Sequence, residues 1–194
     1  MANILKIVFL GIIGFAGLVY LTAPENKINP ENKVSIEDLN ISLLPEYYEL
    51  VGNRAYSKKE DLFKKGKESF IIIGNHDSLV VLNNLYKVTK KDIVLVANIS
   101  NTPWLMKKLA VDGKLEELFK DSTIRIINDT SGTAVKSLGL DDITQTRYFI
   151  YKIAVDGAIK QIAKGDVKLD ALQKGLSKEE LNSSLNSIAK IINK

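Results

Sequence analysis

Tyr56–Ser78 reads YSKKEDLFKKGKESFIIIGNHDS, and four features follow one another along it. Ser57 and Glu60 have the spacing of a capping box, in which each side chain satisfies the other residue's backbone N–H. That spacing predicts a short helix running through Lys64. Gly66-Lys67 breaks it, and Phe70–Ile73, one phenylalanine and three isoleucines, suits a strand buried on both faces. Gly74-Asn75-His76-Asp77-Ser78 is then a polar loop at the strand's C-terminal end. Helix, turn, buried strand and polar loop in this order form the opening unit of an alternating α/β sheet.

The pattern continues downstream. Leu79–Val88 is apolar at helical spacing, Ile93–Ile99 (IVLVANI) is a second buried strand, and Thr102-Pro103 puts proline at the first position of a helix. Glu116–Phe119 belongs to a helical connection leading to a strand over Thr123–Ile127. Asn128–Gly132 turns into a helix carrying Ala134, Val135 and Leu138. Arg147–Val155 and Ala158–Ala163 form a hairpin about Asp156-Gly157. Ser177 and Glu180 make a second capping box, opening a helix with Leu181, Leu185, Ile188 and Ile192 on one face. Upstream, Val34–Val51 mixes apolar and acidic positions and predicts a short strand or helix on the domain edge. The expected fold class is α/β, a three-layer sandwich with helices on both faces of a mixed sheet.

This order of elements, β-α-β-α-β-α-β-β-α, resembles the thioredoxin-like superfamily, and within it the membrane-tethered peroxiredoxin-like and TlpA-like members. Tyr56–Ser78 occupies the place of their capped helix, Gly-Lys turn, buried strand and active-site loop. Asn128–Leu140 (NDTSGTAVKSLGL) resembles the stretch before the loop that in those proteins carries a cis-proline. The resemblance covers about 110 residues and implies a sheet with its site at the tops of the parallel strands. Two departures bear on chemistry. The family's cysteines would fall within Asn75–Val80 (NHDSLV), and the chain contains no cysteine; the cis-proline loop would fall within Asp141–Thr146 (DDITQT), which has no proline. A thiolate is the nucleophile of disulfide exchange and peroxide reduction, and no Asp, Ser or His forms a mixed disulfide in its place. Losing both features points to a redox groove that is no longer in use.

The chain has 194 residues, of which those before Pro24 differ sharply in composition. Ile7–Ala23 is an uninterrupted apolar run preceded by Lys6, the charge order that keeps an N-terminus cytoplasmic. At 1.5 Å rise per residue it spans about 26 Å, the low end for a bilayer core. Leu21 and Pro24 make a poor cleavage site after Ala23, so residues 1–23 are expected to be a transmembrane helix, with a cleaved signal peptide as the alternative. Residues 24–33, with PENK twice, read as a linker, and 34–194 as the thioredoxin-like domain. The net charge of +4 rests on lysine; arginine occurs only at Arg54, Arg125 and Arg147, which argues against a phosphate-reading surface and hence against nucleic acid.

Gly74-Asn75-His76-Asp77 also resembles the Gly-Asn-His element of calcineurin-like metallophosphoesterases. Those enzymes need several further histidines for two metals, and His76 is the chain's one histidine, so no metal and no cofactor are expected. His76 with Asp77 and Ser78 has the residue types of an acid-base set, yet neighbours in a tight loop point different ways, whereas working triads come from separate segments. Asn75, Asp77 and Ser78 more simply serve as turn and N-cap residues. Trp104 follows Pro103 at a strand-to-helix junction, where packing on the sheet and docking to a partner are both open. Asp38–Ser42 and Glu180–Ser184 match an acidic N-glycosylation pattern at Asn40 and Asn182.

These features lead us to expect a single-pass bacterial inner-membrane protein whose periplasmic, redox-inactive domain binds an envelope or membrane protein partner. Its binding surface would comprise Asn75, His76, Asp77, Ser78, Trp104, Gln145 and Thr146. The alternatives are a thiol-independent enzyme using the His76 loop and a chaperone-like peptide binder.

Overall fold

Period-two burial in strands apolar on both faces dictates a sheet covered on each side. The computed structural model describes residues 39–100 and 112–194. In it the strands β1 (Tyr47–Leu50), β2 (Asn53–Lys58), β3 (Ser69–Asn75), β4 (Ile93–Asn98), β5 (Arg125–Asp129), β6 (Arg147–Ile153) and β7 (Ile159–Asp166) form one sheet of order β2-β1-β5-β4-β3-β6-β7. β3, β4 and β5 are parallel; β6 runs antiparallel to β3, and β7 to β6. The β4-β3-β6-β7 core fits the thioredoxin-like fold.

Alternation assigns the faces. Phe70, Ile72, Leu95, Ala97 and Ile150 point to one side, where α2 (Leu79–Leu82), α3 (Asp112–Phe119) and α6 (Lys178–Ile192) pack through Leu82, Phe119 and Ile188. Ile71, Ile73, Val94, Val96 and Phe149 point to the other, against α1 (Lys59–Leu62), α4 (Thr133–Ser137) and the segment from Leu39 to Tyr48. The remaining short helix, α5 (Ala171–Lys174), links β7 to α6. Each fully buried isoleucine contributes roughly 1.5–3 kcal/mol of transfer free energy, and Ile72, Ile73 and Ile150 show no exposed surface. The expected three layers are present.

Several boundaries differ from expectation for local reasons. Ser57 and Glu60 form no capping box, because Ser57 pairs with Tyr48 inside β2, and α1 starts only at Lys59 without a side-chain cap. β1 and β2 make an N-terminal hairpin about Val51-Gly52, with Gly52 at φ +76°, so the expected edge element is one strand in from the edge. The Leu79–Val88 helix divides after Leu82, near Asn84, whose amide donates to the Val80 carbonyl at 3.2 Å. β5 begins two residues late, since Ser122 Oγ holds the Ile124 N–H in a turn at 3.2 Å. The second capping box forms as expected, Ser177 and Glu180 bonding each other's backbone N–H. The hairpin about Asp156-Gly157 also forms, with Gly157 at φ +91°.

No helix among the described residues is long and apolar enough to cross a membrane. The expected transmembrane helix at 1–23, the linker at 24–33 and the helix opening at Thr102-Pro103 lie outside those residues.

Candidate functional site

Each of the three parallel strands ends on a buried polar residue, and the register sets these side by side: Asn75 opposite Asn98, and Asn98 opposite Asp129. A polar group that ends an apolar strand must find partners as the chain leaves the sheet. Asn98 Nδ2 donates to Asn75 Oδ1 at 2.8 Å, and Ser100 Oγ donates to Asn98 Oδ1 at 2.8 Å. Asn75 Nδ2 donates to the carbonyls of Thr144 (2.8 Å) and Asp142 (3.2 Å) and so fixes the loop before β6. Asp129 Oδ2 accepts the Val135 N–H at 2.9 Å, holding the first turn of α4, while burial pushes its carboxyl above the ordinary aspartate range.

Asp77 follows in a 3-10 turn, His76–Ser78, and has no solvent-exposed surface. Its Oδ2 accepts from Gln145 Nε2 at 2.9 Å and from the Asp170 backbone N–H at 2.7 Å; its Oδ1 accepts the Leu172 N–H at 3.2 Å. The Asp77 N–H in turn donates to the Gln145 carbonyl at 3.0 Å. Asp170 makes this contact from the left-handed region, at φ +61°, which aspartate tolerates better than most residues. The buried carboxylate therefore ties together the loop after β3, the loop before β6 and the turn before α5.

Of the other expected site residues, Ser78 is buried and its hydroxyl donates back to the Asn75 carbonyl at 2.7 Å. His76 keeps 34% of its side chain exposed; its Nδ1 lies 3.3 Å from Asp77 Oδ1 but makes no hydrogen bond. Thr146 Oγ1 donates to Asp166 Oδ1 at 2.8 Å, beside Arg147, whose Nε donates to the same oxygen at 3.0 Å and whose guanidinium reaches Asp142 at 2.9 Å. Against desolvation, the largest single effect on Asp142, hydrogen bonds from Thr144 and then the Arg147 charge hold its carboxyl below the ordinary range, while hydrogen bonds from Arg147 and Thr146 do the same for Asp166. Trp104 lies outside the described residues. Asn40 is half-buried in a turn, its Oδ1 accepting the Ser42 N–H at 3.0 Å, and Asn182 is exposed on α6.

The structure thus joins Asn75, Asp77 and Gln145 through the loop before β6 and commits the Ser78 hydroxyl to the Asn75 carbonyl. Asn98, Asp129 and Asp170 belong to the same end of the sheet and went unnoticed in the sequence. A signal for two of them was present, since FIIIGN, IVLVAN and RIIND each close an apolar strand with an amide or acid. Among the described residues no group of three His, Cys, Asp or Glu side chains is arranged to hold a metal ion.

No protein-family model and no curated protein matches the chain. Among solved structures, it is similar to Enterococcus faecalis AhpC at 16% identity and TM-score 0.42, over 80% of this chain and 95% of that one. It is similar to a cysteine-to-serine variant of Xanthomonas campestris Peroxiredoxin Q at 8% identity and TM-score 0.43, over 79% and 96% of the two chains. A third is the mitochondrial 2-cys peroxiredoxin of Plasmodium falciparum, at 10% identity and TM-score 0.37, over 76% and 92%. The mixed sheet with helices on both faces fits the thioredoxin-like fold, and the chain holds no cysteine.

Proposed function

We propose that this protein is a membrane-tethered, thioredoxin-like binding or scaffold subunit of a bacterial envelope assembly, without thiol redox activity and without a catalytic centre. The observation that carries the reading is Asp77. In a loop where the fold offers a reactive site, the one carboxylate beside the one histidine is buried and accepts three hydrogen bonds from the domain's own backbone and Gln145. A general base or orienting acid needs an acceptor free to meet a moving proton. Here three of the carboxylate's roughly four acceptor positions hold three loops together, the work of a structural anchor.

The rival, a thiol-independent enzyme with His76 as base, draws on the unbonded Nδ1 beside Asp77. Against it, the hydroxyl of the same loop, Ser78, is buried and donates to the Asn75 carbonyl. The partner-binding reading is tested by site-specific photocrosslinking of the full chain in its native membrane from Ile143, which is 47% exposed on the loop before β6, and from Trp104. One reproducible envelope-protein adduct is expected. Turnover of a small molecule by the purified chain, abolished by His76→Ala, would overturn the reading.

A further inference from the structure

We propose that the end of the domain opposite Asn75 and Asp77 rests against an anionic phospholipid surface, with Leu43 and Val155 as its apolar contacts; this rests on the membrane-anchor reading of residues 7–23. The chain enters the described domain at that end. The Leu39 carbonyl accepts the Ile159 N–H at 2.8 Å, and the Ile41 N–H donates to the Gly157 carbonyl at 2.9 Å, so residues 39–43 lie across the β6–β7 turn. Both crossing segments present an aliphatic side chain to solvent, Leu43 at 47% and Val155 at 62% exposure.

Cations outnumber carboxylates at this end, where Asp61 beside Arg125 and Asp156 in the β6–β7 turn add negative charge outside the ion pairs. Glu68 meets Lys152 at 2.6 Å and Lys91 at 4.0 Å, and Asp92 meets Lys67 at 2.9 Å and Arg125 at 3.3 Å, two cations to each carboxylate. Lys64, Lys65 and Lys90 are exposed and pair with no described residue. Lys90 and Lys91 also line a cleft of about 200 Å3 beside Tyr86 and Thr123. At the other end of the sheet the balance differs: Lys168 is matched by Glu180 and Lys174 by Asp170, while Asp142 and Asp166 share Arg147. The domain is therefore electrically polar along its strands, with its cationic end at the tether.

Residues 24–38 separate the apolar run from Leu39, and fifteen residues reach at most about 50 Å. The cationic end is thus tethered within reach of the bilayer, where lysines are drawn to anionic headgroups and the attraction is screened by salt. Resting there, the domain presents the loops around Asn75 and Asp142 away from the membrane.

The absence of cysteine makes the test clean. Full-length Val155→Cys and Ile143→Cys, each carrying an environment-sensitive fluorophore, are reconstituted into phosphatidylcholine vesicles with and without about 30 mol% phosphatidylglycerol, using nitroxide-labelled lipid as quencher. Quenching at 155 but not at 143 is expected with phosphatidylglycerol, and its loss is expected in about 0.5 M salt. Combined Lys64→Gln, Lys65→Gln and Lys90→Gln substitution should remove the phosphatidylglycerol dependence while leaving the melting temperature in place. Equal quenching at both labels, or none at 155, overturns the proposal. Alkali-resistant co-flotation with pure phosphatidylcholine vesicles reports the anchor separately. A chain that fails to float there but shows salt-sensitive quenching at 155 with added phosphatidylglycerol vesicles contradicts the anchor and supports the surface.

Discussion

Asp77 Oδ2 accepts the backbone N–H of Asp170 at 2.7 Å, joining two loops that are 93 residues apart in sequence. Asp77 sits in a single 3-10 turn and Asp170 in the turn before α5, and each would expose unpaired groups without the other. The contact explains why a carboxylate sits with no solvent exposure between β3 and α2. Burial of a charge is tolerated only where hydrogen bonds replace its water.

Asp77→Ala removes that acceptor and leaves the Asp170 and Leu172 N–H groups and the Gln145 amide without a partner. Buried hydrogen bonds to a charged group are each worth about 1.5–3 kcal/mol, so a loss of about 3–5 kcal/mol is expected once partial rehydration is allowed for. For a domain of this size that is a fall of about 10 °C in melting temperature. Asp77→Asn, which keeps one acceptor oxygen, should lose less. Thermal melts of the two variants check both the size and the order.

Gly74→Val should damage folding from inside the sheet. A Cβ at Gly74 would lie 2.5 Å from Leu82 Cδ1, 2.8 Å from Leu79 Cδ2 and 2.9 Å from Ser78 Oγ, all on buried residues that cannot swing aside. The expected result is loss of soluble, cooperatively melting protein.

Asp129 gives a pH dependence with a definite sign. Burial raises its folded-state pKa, so between the ordinary aspartate value and that raised value the native state holds more proton than the unfolded chain. Its contribution to stability therefore falls as pH rises through this window. Asp129→Asn abolishes the titration, and its stability relative to the parent should improve as pH rises above the ordinary aspartate range. Urea melts across that range measure it. A difference that is flat in pH, or that worsens, would contradict the assignment.

Much of the central sheet was legible because β3 and β4 are short apolar runs rich in Ile and Val, whose length and β-branching favour a buried strand over a helix. The hairpin about Asp156-Gly157 and the helix from Ser177 were legible from local chemistry alone. Ser57 shows where local chemistry loses: its capping spacing with Glu60 is sound, but pairing with Tyr48 supplies a competing set of backbone bonds from a distant segment. The site was legible in half. Asn75 and Asp77 stood out as polar residues ending a strand, whereas their partners Asp142, Thr144 and Asp170 are loop backbone groups, whose identity leaves no trace in side-chain patterning.

Arg147 clamps the loop before β6 to the sheet through Asp142 and Asp166. Arg147→Met should leave the fold intact and speed amide exchange selectively at 141–146, the segment whose Thr144 N–H already rests on Asp142 Oδ1 at 2.9 Å. Exchange mass spectrometry on the intact chain checks it. Unchanged protection there would show that Asn75 and Asp77 hold the loop without Arg147.

The purified protein is expected to reduce neither insulin nor peroxide and to isomerise no disulfide above buffer, since no thiolate is present to begin those reactions. A thiol-independent peroxidase rate would contradict this.

The most direct measurement is complementation in the native cell by His76→Ala at matched abundance. Because Asp77, Asn75 and Ser78 are taken up in structural hydrogen bonds, function should remain nearly intact. A null phenotype from a His76→Ala protein of normal abundance and normal melting temperature would contradict the account and place chemistry at the imidazole.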